Sequence, residues 1–126
     1  MLSSTLLNIC IEEALKSGYI HKLGAVIWKG RGRILSTGHN EVRSALSIPE
    51  KYRTWHNSFC AEKAAMLKVN KSKAKILVLR ISAKGVLRSS KPCDSCMQMM
   101  KDYGIKEFWY ADRNGQIIFE RIRNDS

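Results

Sequence analysis

Apolar positions along residues 4–17 recur at helical spacing, with Leu6, Leu7, Ile9 and Cys10 followed by Leu15. Ser3 or Ser4 can cap this segment and Gly18 can end it, so the pattern predicts a first helix. "GAVIWKGRGRILSTG" then reads as a hairpin, with strands at 25–28 and 33–37 around a glycine-containing turn. Residues 39–57 show no period and contain Pro49, which predicts a long loop. Loops of that length inside a compact domain are usually functional. "SFCAEKAAM" opens a second predicted helix, over 59–69, with Ala61, Ala64, Ala65, Met66 and Leu67 available for packing. "KILVLRI", at 75–81, is a nearly continuous apolar run, as expected of a strand covered on both faces.

A loop, "SAKGVLRSSK", precedes a third predicted helix that starts near Cys93 and ends before Gly104. "KEFWYA" and "QIIFERI" are predicted strands joined by "DRNGQ", whose Asn-Gly pair is a hairpin signal. Helices alternating with strands from the middle onward imply an α/β fold, a central sheet with helices packed on it. Trp28, Phe108, Trp109 and Tyr110 lie on predicted strands and are assigned to the core.

At 126 residues, with 44% apolar and 26% charged residues, the chain suits one domain spanning 1–126 with a real core. No apolar run approaches the roughly 18 residues of a membrane span. The N-terminus lacks a basic start, and Glu12 and Glu13 interrupt its apolar run, so it is not read as a signal peptide. A cytoplasmic, reducing location is expected, in which four cysteines are thiols or metal ligands rather than disulfides. The net charge of +11 favours a polyanionic partner or a phosphate-bearing substrate. The plain alternative is a solvated basic surface. The basic residues are spread along the chain rather than gathered in one tract.

Composition cannot explain why the second helix begins with Cys60 and Glu62. Cys93 and Cys96, in "KPCDSC", stand at the start of the third helix at a spacing that lets two thiolates meet one metal ion. Orphan backbone N–H groups at a helix start also favour negative charge. One helix and one strand separate Cys60 from Cys93, so the two helix starts can lie side by side. Cys60 is then a candidate third thiolate. Three protein ligands leave zinc's fourth position open for water, the arrangement of a catalytic site. Glu62 lies about 200° around the helix from Cys60 at 3.6 residues per turn, so it need not compete for the metal. It can instead carry a proton between that water and a substrate nitrogen.

"C-A-E" followed by "P-C-x-x-C" resembles the zinc-dependent nucleoside and nucleobase deaminases. The element order matches as well, so the resemblance covers most of the chain. It implies a three-layer cytidine-deaminase-like fold with a central five-stranded mixed sheet and helices on both faces. It implies one zinc ion per chain on Cys60, Cys93 and Cys96, with Glu62 as proton shuttle. The implied reaction is hydrolytic loss of ammonia from the amine-bearing ring carbon. Asn40, in "STGHN", and Ala61 correspond to substrate contacts in the family. An asparagine at a strand end is otherwise a common turn former. Lys63 sits where some three-cysteine members carry a basic residue that offsets the thiolates; its plain reading is a solvated lysine.

A rival set adds His56 to the three cysteines and closes a four-ligand structural zinc site, making a non-catalytic basic nucleic-acid module. It leaves Glu62 and Asn40 without a role. Cys10 is read as a buried structural thiol. His21 and His39 are assigned no function, and Trp55 and His56 either stack on a base or pack under their loop. The three-cysteine set resembles the free-nucleoside branch, yet Val42 stands where that branch has a sugar-binding glutamate. Together with the charge, this favours cytosine in a phosphate-bearing substrate: single-stranded DNA or RNA, or deoxycytidylate. Arg43, Lys51 and Arg53 could serve a nucleotide phosphate. Free cytidine, or adenosine in transfer RNA, remain the alternatives. The expected partners are thus a cytosine-containing nucleotide or single-stranded nucleic acid, with no membrane and with homo-oligomerisation left open.

Overall fold

The computed structural model describes residues 2–18, 22–42, 58–59, 61–69, 73–82, 84–92 and 94–122. Its elements run α1 (Ser4–Ala14), β1 (Lys22–Lys29), β2 (Arg33–His39), β3 (Glu41–Val42), β4 (Ser58–Phe59), α2 (Ala61–Met66), β5 (Ala74–Ile81), β6 (Leu87–Arg88), α3 (Asp94–Asp102), β7 (Ile105–Ala111) and β8 (Ile117–Arg121). Ser3 caps α1, its side chain accepting the Leu6 N–H at 3.2 Å.

The main sheet has the order β2-β1-β5-β7-β8, with β6 pairing the end of β5. β1 is antiparallel to both β2 and β5, so β2 and β5 point the same way. β5 and β7 are parallel, and β8 returns antiparallel. The sheet is therefore mixed. The turn before β8 is closed by Asp112, whose Oδ1 accepts the N–H groups of Asn114 and Gln116, both at 2.9 Å.

Side chains alternate across this sheet and divide the core in two. Ala25, Ile27, Ile76, Val78 and Phe108 face the layer of α2 and α3. Val26, Trp28, Leu77, Leu79 and Trp109 face α1. Helices thus cover both faces, as the resemblance implies. β5 is buried at six of its eight positions, as its apolar run predicts.

The helices lie close to the sheet because small residues permit it. A Cβ on Gly24 would lie 2.3 Å from the Cys10 carbonyl oxygen of α1, and one on Gly38 would lie 2.5 Å from the Ala65 nitrogen of α2. Every residue of α2 is buried, and its alanines keep it slim.

The predicted loops hold two short pairings. β3, inside the expected loop 39–57, pairs antiparallel with β4 just beyond it through Glu41–Phe59 and Val42–Ser58. Phe59, expected to open the second helix, is instead held in a strand, and α2 spans Ala61–Met66 rather than 59–69. β6 arises inside the predicted loop 82–91. A two-residue strand has no period to read, which is why the pattern missed both.

Candidate active site

Two crossovers create the site. α2 lies on the connection from β2 to β5, and α3 on the connection from β5 to β7. Each connection joins strands of the same direction, so each helix starts beyond the carboxyl end of a strand. Both helices pack on one face, where Ala61, Ala64 and Met66 share a core cluster with Met99 and Met100. Their beginnings consequently share one edge of the sheet, where α/β folds gather ligands.

Asn40 follows β2 at this edge and is 8% exposed. Its Oδ1 accepts the Leu23 N–H at 2.9 Å, and its own N–H donates to the Leu23 carbonyl at 3.2 Å. It extends the β1–β2 ladder by one step, which fixes the carboxamide. Ala61 and Glu62 open α2, and both are buried, Glu62 at 4% exposure. A carboxylate that deep is rare without a purpose. Cys96, on α3, is fully buried on the same face. The structure therefore brings together the elements that carry Asn40, Ala61, Glu62 and Cys96. Cys60 and Cys93 lie outside the described residues, as do His21, Arg43, Lys51, Arg53, Trp55 and His56.

Lys63 differs from its plain reading. It is 1% exposed, beside Glu62 in a helix with no exposed position. A solvated lysine is ruled out. Ser36 and Lys68 tie α2 to β2: Ser36 Oγ donates to the Ala65 carbonyl at 2.9 Å, and Lys68 Nζ donates to the Thr37 carbonyl at 3.1 Å. On the third side, Ser90 Oγ donates to the Val78 carbonyl and accepts the Ala111 N–H, both at 2.8 Å. That clamp holds the segment leading into α3 between β5 and β7.

His39, assigned nothing from sequence, contacts Glu13 of α1 at 2.9 Å through Nδ1, and Lys16 meets the other carboxylate oxygen at 2.9 Å. Burial works to raise the Glu13 carboxyl, but hydrogen bonds and charge from His39 and Lys16 outweigh it and hold it below the ordinary range. Glu13 and His39 stand 26 positions apart, with no motif joining them. Cys10 is fully buried, as read from its neighbours, and its thiol hydrogen-bonds the Gly24 carbonyl at 3.2 Å. Burial pushes its pKa up to about 12, and the charges of Glu13 and Glu62 add to that.

Residues 2–112 match the family model described as the cytidine and deoxycytidylate deaminase zinc-binding region. The chain belongs to this deaminase family. Its members are hydrolytic enzymes, and the chain is accordingly a deaminase of the cytosine type. No curated protein matches the sequence at a significant level.

The fold of this deaminase is similar to that of solved relatives. A cytidine deaminase from Burkholderia pseudomallei superposes with a TM-score of 0.68 at 18% identity, over 96% of this chain and 93% of that one. A dCMP deaminase from cyanophage S-TIM5, solved in complex with dCMP and dUMP, gives 0.57 at 19% identity, over 90% of this chain and 85% of that one. A cytidine deaminase from Mycobacterium tuberculosis gives 0.59 at 17% identity, over 86% and 84%.

The deaminase family is zinc-binding, and the described part of the site suits that ion. Cys96 offers a sulfur shielded from water, and thiolate is a preferred zinc donor. The buried Glu62 carboxylate stands at the start of the helix packed against that of Cys96. Among the described residues no helix is long and apolar enough to cross a membrane.

Proposed function

We propose that this deaminase converts cytosine to uracil in a phosphate-bearing substrate, with single-stranded DNA or RNA ahead of deoxycytidylate. The burial of Glu62 at the start of α2, on the sheet edge shared with α3, carries the catalytic half of this reading. The net charge of +11 carries the substrate half.

Cys60, Cys93 and Cys96 would hold one zinc ion per chain. Zinc, when bound, supplies Lewis-acid activation of water near neutral pH. Glu62 takes one proton from the attacking water and gives it to the ring nitrogen, then takes the second from the new hydroxyl on the ring carbon and gives it to the amine as the C–N bond breaks. Water and cytosine thereby become uracil and ammonia. The site's low exposure strengthens that carboxylate's contact with the substrate and excludes bulk solvent. Asn40, its carboxamide fixed against Leu23, contacts the nucleoside portion, and Ala61 borders the base. Lys63 offsets the negative charge of three thiolates from inside α2. An intracellular, reducing location would keep those thiols available. A base within a strand must arrive unpaired or flipped out.

The free-nucleoside reading draws on the likeness of the fold to cytidine deaminases. One experiment separates the readings. Zinc-loaded protein is incubated with cytidine, adenosine, deoxycytidylate, single-stranded DNA and RNA, and newly formed uracil and hypoxanthine bases are quantified. Uracil from the phosphate-bearing substrates is expected. Turnover of cytidine alone would refute the substrate half, and turnover of adenosine alone would refute the base. A Glu62→Gln protein should keep its zinc and lose turnover. Turnover unchanged in Glu62→Gln would refute Glu62 as the proton carrier, and zinc binding with no turnover in the wild type would favour the non-catalytic zinc module that uses His56.

A further inference from the structure

Three arginines gather where β5 ends. Arg80 of β5 and Arg88 of β6 are direct cross-strand partners. Arg113, from the turn between β7 and β8, joins them, with Ser82 and Ser89, around an open cleft of about 440 Å³. Like charges placed directly opposite one another destabilise a sheet. Among the described residues, no carboxylate lines the cleft. Among the described residues, neither ion pair involves these arginines, since both belong to Glu13. Asp112, the nearest acid in sequence to Arg113, spends Oδ1 on the turn's own N–H groups.

A second observation points to an anionic partner. Arg80 Nε is buried and meets no hydrogen-bond partner among the described residues. Buried donors are nearly always satisfied, so such a group calls for an explanation. Lysines elsewhere are used structurally: Lys68 holds the Thr37 carbonyl and Lys75 the Gly30 carbonyl. Ser82 Oγ accepts the N–H groups of Lys84 and Val86, at 3.3 and 3.2 Å, which leaves its own hydrogen to donate.

We propose that Arg80, Arg88 and Arg113, with Ser82 and Ser89, form a binding site for a phosphate group. Planar guanidinium forks match phosphate oxygens, and a hydroxyl completes such a cradle. An anion here would relieve the Arg80–Arg88 repulsion and give Arg80 Nε an acceptor. The site lies at the sheet edge where α3 begins, since β6 leads through the Ser90 clamp into that helix. A phosphate held there belongs to the same ligand as a base near Glu62, and this attribution, though not the binding itself, rests on the deaminase reading. The phosphate is a nucleotide monoester or a diester of a strand.

Binding is measured on the full zinc-loaded chain by calorimetry, at constant ionic strength, with inorganic phosphate, deoxycytidylate and a single-stranded oligodeoxycytidylate. Arg88 and Arg113 are exposed, so Arg88→Gln and Arg113→Gln should fold. Lys101→Gln, on an exposed position of α3, removes the same charge elsewhere. Each arginine variant should weaken binding roughly tenfold or more. For the oligonucleotide, its slope of log affinity against log salt should fall by about one relative to wild type. Loss for deoxycytidylate identifies a monoester, and loss confined to the oligonucleotide identifies a diester; both support the site. Arginine variants that bind all three ligands as wild type does, or lose no more than Lys101→Gln, overturn it. Because no turnover is measured, binding lost in the variants would stand even if cytosine were not deaminated.

Discussion

Gly38→Ala tests whether the position of α2 governs the chemistry. The φ of Gly38 is not positive, so alanine fits its backbone conformation and the effect is purely steric. The added Cβ would lie 2.5 Å from the Ala65 nitrogen, 2.7 Å from the Ala61 oxygen and 3.1 Å from the Ala64 carbonyl carbon. Ordinary contact begins at 3.4 Å, so α2 must retreat by about 0.9 Å (3.4 − 2.5). All three atoms are backbone, so no side chain can swing aside. The helix is buried at every position and has nowhere to go without disturbing its neighbours. Such overpacking costs about 1–3 kcal/mol. A displacement near 1 Å of the element that carries Glu62 can also lower turnover by about 100-fold. Gly24→Ala is the control. Its Cβ would lie 2.3 Å from the Cys10 oxygen of α1, a helix that carries none of the proposed catalytic groups. Urea titrations followed by tryptophan fluorescence give both stabilities, and kcat is measured where both variants are folded. Both should be destabilised, and only Gly38→Ala should lose kcat. Wild-type stability in Gly38→Ala would refute the tight seat of α2. Equal kcat losses in the two variants would refute the link between that seat and catalysis.

Ser90→Ala removes both bonds of the clamp between β5 and β7 and leaves the Ala111 N–H unsatisfied, so it should cost about 1–3 kcal/mol. A loss below about 0.5 kcal/mol in chemical denaturation would mean the clamp is idle. Glu13 has a folded pKa below its unfolded value of about 4.3. Its contribution is therefore present above that value and lost as pH falls through the folded pKa. The stability gap between wild type and Glu13→Gln should shrink on acidification below about pH 4; a gap that is constant with pH contradicts the pairing with His39 and Lys16. Cys10, with a pKa of about 12, should resist iodoacetamide at pH 8 in the native protein and react once urea unfolds it. Rapid native labelling of Cys10, located by peptide mapping, would show that α1 opens readily.

Local pattern was enough for every element that has a period. α1, β1, β2, β5, α3, β7 and β8 lie within a few residues of their expected places, because burial on a face writes a repeat of two or 3.6 into the chain. The motifs around Cys60 and Cys93, which carry the proposed ligands, stand out in the sequence for a related reason: metal ligands at a helix start need fixed short spacings. Glu62 was singled out by its place in that motif, and its burial is what the folded chain adds.

The remainder depends on residues that meet only after folding. Nothing local marks Lys63 as buried; its burial follows from α2 being enclosed on all sides. Glu13 and His39 join because α1 crosses the end of β2. The arginine cleft assembles from three separate elements, and no window of sequence contains them together. β3, β4 and β6 exist because partner strands supply their hydrogen bonds, not through any preference of two residues. Periodicity and ligand spacing are local constraints, so the chain declares them directly. Burial of charge and the meeting of distant side chains are set by topology, which only the folded sheet and its crossovers supply.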